Sequence, residues 1–434
     1  MLKKITIENF KSIDSKSIDF KKFNLLCGEN ASGKTTVIHS ILAAIQSHSG
    51  AQNFDGNILK IGFLSELKRH GSSGSVSIEI EDDNGASKKV VLKRNEDVSQ
   101  DKKDLLVIRH NDNPLELNFE QDVFYLSSIR NGVKEIYSKG DYSFGVDGSS
   151  AISYLFEHQD DLMNSSYMEA FKNKFPDSVC KENPKFIEHV RFWLKYITAE
   201  EINIDSVPYT NQYVLTFGNE NKIRPINTGS GYSFVLPILI ACLGAIKISE
   251  CPTVIIENPE IYLHPNAQIR LVEFFEFISQ YAQFIIETHS EYILKRAMEC
   301  DGDSKQILVF KQNDGITDYT NLNNASFKTS PVLYSEVLYR AFNICTIELH
   351  ISLFSRLQVI SGQRTIKAFD DWLFVNYPLI PRKNRVSGAS QTKTLPVYIR
   401  NTIDHPEGKD AAGNPYTFTF DELKESIDFM LDLM

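Results

Sequence analysis

Apolar and polar residues alternate over residues 4–8, where Ile5 and Ile7 share a face, and residues 18–20 and 23–27 follow as two further strand-like segments. The last is a near-continuous apolar run of the kind carried by a strand buried on both faces. Residues 37–46 then switch to helical spacing. Residues 76–120 return to alternation, with turn chemistry at Asp83, Asn84 and Gly85 and again at Asn111, Asp112, Asn113 and Pro114, and predict antiparallel strands. From residue 151 to about 215, Tyr154, Leu155, Phe156, Phe186, Val190, Trp193 and Leu194 recur at helical spacing and predict a small helical lid inserted into the surrounding domain. An apolar helix is expected at 234–246, buried strands at 251–257 and 284–288, and a closing hairpin at 306–310 and 317–322. From residue 330 the pattern is helical, at 332–342, 347–359, 365–375, 394–403 and 420–433. The expected organisation is an α/β head over residues 1–329, with a mixed central sheet and the lid, followed by a mostly helical C-terminal domain over residues 330–434. There is no sustained heptad repeat, so long coiled-coil arms are not expected.

Composition narrows the class. With 434 residues, 42% of them hydrophobic, the chain has ample core material and is neither disordered nor fibrous. Its 46 Lys+Arg against 56 Asp+Glu give a net charge of -10, which argues against coating nucleic acid by bulk charge but leaves room for a local basic groove. The six cysteines form no CxxC pair and several sit in apolar runs, as buried thiols of a reducing compartment do. The apolar stretch 234–246 contains Pro237 and is shorter than the ~20 residues a membrane span needs, so a cytoplasmic location and no membrane contact are expected.

Candidate chemistry begins at Gly28, Glu29, Asn30, Ala31, Ser32, Gly33, Lys34, Thr35 and Thr36, which fit G-x-x-x-x-G-K-[ST] between a predicted strand and a predicted helix. Gly28 and Gly33 let the backbone wrap closely around phosphates, and the helix beginning near Lys34 points its free N–H groups at the same anion. On this reading Asn30, Ser32 and Thr36 complete the cradle, Lys34 neutralises β/γ-phosphate charge, and the Thr35 hydroxyl ligates Mg²⁺. ATP and Mg²⁺ are the expected cofactors. An acidic partner is needed at the end of a buried strand, and residues 251–257 end in Glu257, a candidate Mg²⁺ ligand directly or through water. Residues 284–288 lead to His289, at the carboxyl edge of a parallel sheet, where it would face the nucleotide. Gly229, Ser230 and Gly231 open the apolar helix as either a second anion-binding loop or a simple helix cap.

In this order the motifs resemble the ABC-type ATPase heads, and within them the branch of overcoming-lysogenization-defect (OLD) proteins and related bacterial defence ATPases. The resemblance implies an ABC-type P-loop fold with residues 28–36 as Walker A, 227–233 as a variant signature loop, 254–257 as Walker B, His264 and Pro265 at the D-loop, and His289 as the switch histidine. It also implies head-to-tail dimers or higher oligomers, in which the signature loop of one subunit faces the Walker A of another across ATP. Lys11 and Arg130 match positions that in similar ATPases approach the nucleotide or the subunit contact; surface cations beside core aromatics are the alternative. Residues 124–130 hold no glutamine, so no Q-loop ligand is identified there.

One position departs from the pattern. The residue after the Walker B acid is usually a glutamate that polarises the attacking water, and here it is Asn258, whose amide orients water but accepts no proton. The candidate catalytic set is therefore Glu257, Asn258, Glu260 and His289, with Glu260 taking over part of the role or hydrolysis being slow. Over its whole length the chain most resembles the PtuA-like ATPase subunits of Septu anti-phage systems, which also occur with retrons. Ile347, Glu348, Leu349 and His350, the segment 399–407 and the segment 420–427 add to that match. The resemblance implies a regulatory ATP-binding platform with a separate HNH nuclease subunit, and contact with DNA through that complex. Two alternatives stay open: a DNA-repair type ATPase acting on DNA directly, and an HEPN-like RNase suggested by the R-x4-H spacing of Arg400 and His405. The tail lacks the acid cluster of a Toprim nuclease, and its basic residues Arg382, Lys383, Arg385 and Lys393 read as a solvated loop or a meeting point for nucleic acid or an acidic partner face.

Overall fold

The computed structural model describes residues 1–94, 104–138, 144–218, 222–227, 229–299, 303–322, 334–387, 389–410 and 412–434. They form two compact units, Met1–Ala325 and Ser326–Met434.

The first unit opens with β1 (Leu2–Phe10), β2 (Ile13–Asp19), β3 (Phe23–Gly28) and α1 (Lys34–Gln46), then α2 (Leu64–Leu67), β4 (Val76–Asp82), β5 (Ser87–Arg94), β6 (Asp104–His110), β7 (Val123–Leu126) and β8 (Ile136–Ser138). It continues through α3 (Ala151–Glu157), α4 (Ser165–Lys174), α5 (Phe186–Thr198), β9 (Ile202–Ser206), β10 (Gln212–Phe217), α6 (Ser230–Ile248), β11 (Thr253–Glu257), α7 (Pro265–Ile278), β12 (Gln283–Thr288), α8 (Glu291–Glu299), β13 (Lys305–Asn313) and β14 (Ile316–Asn321). The central sheet runs β14-β13-β3-β12-β11-β7; all its neighbours are parallel except the β13–β14 hairpin at one edge. Every residue of β3, β11 and β12 is buried, as expected of strands covered on both faces. A second, antiparallel sheet, β2-β1-β4-β5-β6, alternates instead, and α1 packs between the two sheets. The buried Gln283 stitches them together: its amide donates to the Leu2 carbonyl at 2.6 Å and accepts from the Leu2 N–H at 3.0 Å. The result is a mixed-sheet α/β architecture in which the loop between β3 and α1 sits at the carboxyl edge of the parallel strands.

Three expectations change. Residues 202–217, placed within a helical lid, form β9 and β10, and β10 pairs with both β9 and β8 in a separate three-stranded sheet. The polar positions Asn203, Asp205, Ser206 and Gln212 between apolar ones follow strand alternation, which the helical pattern just before them obscured. The helices of this region are also more than a cover, since α5 packs on α6 and α7 and fully buries Trp193. Finally, α6 outruns its predicted end: Gly231–Ile248 is long and apolar enough to cross a membrane, but 72% of that window is buried in the fold, against α3, α5 and β7. It is the core helix of the head.

The second unit contains α9 (Tyr334–Phe342), α10 (Ile347–Ile360), α11 (Ile366–Asn376), the hairpin β15 (Arg382–Ser387) and β16 (Ala389–Thr394), α12 (Leu395–Asp404) and α13 (Phe420–Asp432). Its core is Leu349, Leu353, Phe369, Leu373, Ile399 and Ile427 with their neighbours. The basic stretch read as a loop is therefore β-hairpin: Lys383 pairs with Glu422 at 2.6 Å, and Lys393 with the buried Asp370 at 3.1 Å. Local pairing across a short turn outweighs the polar composition there.

Candidate functional site: a phosphate loop facing three carboxylates

The loop between β3 and α1 depends on its glycines. Gly28 has φ 146° and a Cβ placed there would lie 2.4 Å from the Phe310 carbonyl oxygen of β13; Gly33 has φ 106° and its Cβ would lie 2.3 Å from Thr317 Oγ1 of β14. Both positions thus need positive φ and the absence of a side chain. Thr317 Oγ1 in turn donates to the Ser32 carbonyl at 3.2 Å and pairs with Ser12 Oγ at 2.7 Å, so the edge hairpin fixes the loop from outside. Gly28→Ala is expected to destabilise the head by about 2 kcal/mol or more, read as a lower melting temperature; an unchanged one would contradict the tight fit.

Lys34, 2% exposed, folds back into the loop and donates to the Gly28 carbonyl at 3.0 Å and the Glu29 carbonyl at 2.8 Å. Burial lowers its pKa, and Glu287 opposes that shift. Ser32 Oγ accepts from Lys34 Nζ at 3.4 Å; Asn30 is exposed, and Thr36 lies in the first turn of α1 with its carbonyl accepting from Ser40 Oγ at 2.7 Å. Thr35 Oγ1 donates to both oxygens of Glu287, at 2.8 and 2.9 Å.

Glu287 is the residue sequence reasoning missed. It stands in register with Glu257 on the neighbouring parallel strand. A charged residue at the end of the otherwise apolar segment 284–286 is the signal that pointed to it. Glu257 Oε1 accepts from the Tyr125 hydroxyl at 3.0 Å and Oε2 from the Ser128 N–H at 3.0 Å. The third acid, Glu260, accepts from the His289 N–H at 2.7 Å, while its other oxygen is buried without a partner. Burial raises the Glu260 pKa. His289 Nε2 stands 3.9 Å from Glu287 Oε1, and burial, then Lys34, lower its pKa. His289 therefore does reach the site, at the carboxyl ends of β3 and β12.

Asn258 has φ 43°, in the left-handed region where asparagine is enriched. Its N–H donates to the Glu287 carbonyl at 2.8 Å and its side-chain oxygen is buried and unpartnered. Arg130 is a brace, not a surface cation: it is buried, and its guanidinium donates to the Glu257 and Asn258 carbonyls, each at 2.6 Å. Lys11, at φ 51°, lies 3.1 Å from His39 Nδ1, and His39 Nε2 lies 3.8 Å from Glu257 Oε1. His39 is pushed down to about 4, by burial and then by Lys11, so it is neutral at physiological pH.

Burial, then Glu257, push the Glu287 carboxyl up to about 7, against Lys34 and the Thr35 hydroxyl. The fold then keeps a proton that the unfolded chain releases near its ordinary 4.5, so stability falls as pH rises from there towards 7, by at most about 1.4 kcal/mol per pH unit for one proton. Without nucleotide or divalent cation, the melting temperature of the wild type is expected to fall more steeply between about pH 5 and 7.5 than that of Glu287→Gln. Equal slopes in thermal melts would contradict this. Two crowded carboxylates beside a threonine hydroxyl also fit Mg²⁺, a hard cation that keeps water and phosphate oxygens as its other ligands. Among the described residues, no cluster of three or more His, Cys, Asp or Glu side chains forms a self-contained metal centre.

The second glycine loop lies elsewhere. Gly229 caps α6 with an extended φ of -62°, and a Cβ on Gly231 would lie 2.6 Å from the Tyr262 carbonyl oxygen. The side chain of Ser230, and Thr228, are outside the described residues. Gly229 and Gly231 line a cavity of about 410 Å³ with Tyr232, Tyr262, His264 and Arg270. Among the described residues no hydrogen bond or ion pair joins this loop to residues 28–36 of the same chain. His264 caps α7, its Nδ1 accepting from the Asn266 N–H at 3.3 Å. In the second unit Arg400 pairs with Asp404 at 2.5 Å, while His405, 62% exposed, ends α12 and lies 3.8 Å from Glu407. Each of the two side chains thus faces its own carboxylate.

The family described as "AAA domain, putative AbiEii toxin, Type IV TA system" matches residues 23–295, from the start of β3 into α8. Solved structures similar to the chain include the SMC head domain from Thermotoga maritima, at 12% identity and a TM-score of 0.41 over 74% of this chain and 98% of that one. Another is the Smc head domain with an extended coiled coil bound to the C-terminal domain of ScpA derived from Pyrococcus furiosus, at 13% identity and a TM-score of 0.44 over 74% of this chain and 96% of that one. None of the curated proteins matches the chain in sequence.

Proposed function

We propose, for a chain that belongs to this AAA family and carries an ABC-type ATPase head, that it is the nucleotide-gated regulatory subunit of a defence complex. The observation that supports the reading is the placement of two glycine loops: a phosphate loop beside its acids, and the Gly229–Gly231 loop lining a cavity to which no residue of 28–36 contributes. Two copies in head-to-tail arrangement would bring the second loop of one onto the first loop of the other. The helix N-terminus at Gly229 would then meet the terminal phosphate of ATP.

Within one head, Lys34 and the N–H groups opening α1 would take the phosphate charge, and Thr35 with Glu257 and Glu287 would hold Mg²⁺, which when bound would neutralise phosphate charge and orient the terminal group. Glu257 is oriented by the hydrogen bonds it accepts from Tyr125 and Ser128. Asn258 places an amide where a base would stand, which favours slow turnover and a long-lived closed state. Glu260 and His289 are tied to one another, because the His289 N–H donates to Glu260. The closed pair is the platform for a separate HNH-type nuclease, as in PtuA-like systems. Co-expression with a neighbouring HNH protein, followed by size-exclusion chromatography with and without ATP, tests this: one complex whose size depends on ATP is expected. A chain that stays monomeric in both conditions and retains no partner overturns the reading.

A further inference from the structure

The loop after α2 carries Lys68, Arg69 and His70 into a cavity of about 860 Å³ whose other side is formed by Lys93 and Arg94 at the end of β5. In a chain with a net charge of -10 this is a local reversal of sign. Arg69 is partly offset by Asp14 at 3.1 Å and Arg94 by Asp104 at 3.8 Å, whereas Lys68 and Lys93 meet no carboxylate within ion-pair distance among the described residues. Ser72, in the same lining, has a buried hydroxyl with no partner.

The loop is held in place rather than draped. The Lys11 N–H donates to the Leu67 carbonyl at 2.6 Å, the Arg69 N–H to the Asn9 carbonyl at 3.0 Å, and the Asn9 amide to the Ser75 carbonyl at 3.1 Å. Gly74 leaves room for that amide, since a Cβ there would lie 2.6 Å from Asn9 Nδ2. Asn9 and Lys11 both adopt positive φ to make the bend. The cations are thus presented on a fixed frame, which lowers the ordering cost of binding.

We infer that this cavity binds the phosphodiester backbone of duplex nucleic acid. Ammonium, guanidinium, hydroxyl and glycine backbone groups are the usual partners of phosphate oxygens and carry no sequence information. Apart from the imidazole of His70, the described lining residues present no aromatic ring, whereas a single-strand site carries several on which successive bases stack. Binding is therefore independent of base sequence and steeply dependent on salt. The frame also reaches the nucleotide site, because Lys11 contacts His39, whose far nitrogen faces Glu257.

The test is fluorescence anisotropy of the full chain, without nucleotide, against a labelled duplex of about 30 base pairs, the matching single strand as competitor, and tripolyphosphate. Lys68→Ala/Lys93→Ala is expected to weaken duplex binding at least tenfold and to reduce the slope of log K against log salt by about 2. Its ATP affinity should be unchanged. Lys34→Ala should bind duplex like the wild type, so failure of this site and failure of the nucleotide reading are told apart. Wild-type duplex affinity in the double variant, tighter binding of the single strand, or binding of tripolyphosphate alone would each overturn the assignment.

Discussion

Lys34→Ala is expected to abolish ATP binding, raising Kd at least about a hundredfold, a loss of about 2.7 kcal/mol. The reason is the charge balance of the pocket. Glu257, Glu260 and Glu287 converge on the end of the central sheet, and Lys34 is the ammonium inside the phosphate loop, 4.0 Å from Glu287. A triphosphate entering the site brings several more negative charges into a partly desolvated space, where each repulsion counts for more than in water. Without the ammonium, the Gly28 and Glu29 carbonyls that it bridges are also left facing the phosphates. Isothermal titration with ATP and Mg²⁺, with circular dichroism to show that the variant is folded, measures the effect. Affinity within threefold of the wild type would refute the phosphate-loop assignment.

Glu257→Gln is expected to separate binding from turnover. The carboxylate accepts from Tyr125 and Ser128 and lies beside Glu287 on the adjacent strand, so an isosteric amide keeps the shape while removing one negative charge from the crowded pair. ATP affinity should stay within a few-fold, because relief of repulsion with the phosphates offsets weaker hold on Mg²⁺. Hydrolysis should fall roughly 10²-fold or more, the usual range for losing an essential acid–base or charge-positioning group. Single-turnover kinetics check this. If Glu287→Gln stops turnover and Glu257→Gln does not, the roles of the two strands are exchanged.

Local sequence carried much of this architecture. The phosphate loop could be read because its glycines, lysine and threonine sit consecutively in the chain, and Glu257 because a buried apolar strand ends on it. His289 is legible from the buried strand that leads to it and Arg130 only from the resemblance; the structure brings both to the site, Arg130 as a buried brace. Tyr125, His39 and Thr317 carried no such mark. Tyr125 lies 132 residues from the acid it supports, and Thr317 lies 285 residues from the Ser32 carbonyl it contacts. Their roles come from strand order, which brings β7 beside β11 and β14 to the edge near the loop, and nothing local encodes that adjacency. The hairpin β9–β10 was lost for the opposite reason: a strong helical period just before it dominated the window.

Head-to-tail sharing of the ATP site is the central claim, and mixing two defective variants tests it most directly. Lys34→Ala removes the phosphate loop's cation. Gly229→Asp places a carboxylate where the terminal phosphate would arrive, at an N-cap that favours aspartate and where an added Cβ meets nothing closer than 3.5 Å, so the fold is kept. Each variant alone should be inactive in ATP hydrolysis. Combined in equal amounts under conditions where subunits exchange, they should recover a substantial fraction of wild-type turnover, because a mixed pair holds one site with an intact loop from each partner. Full activity of Gly229→Asp by itself, or no recovery once mixed pairs are shown to form, would contradict the account.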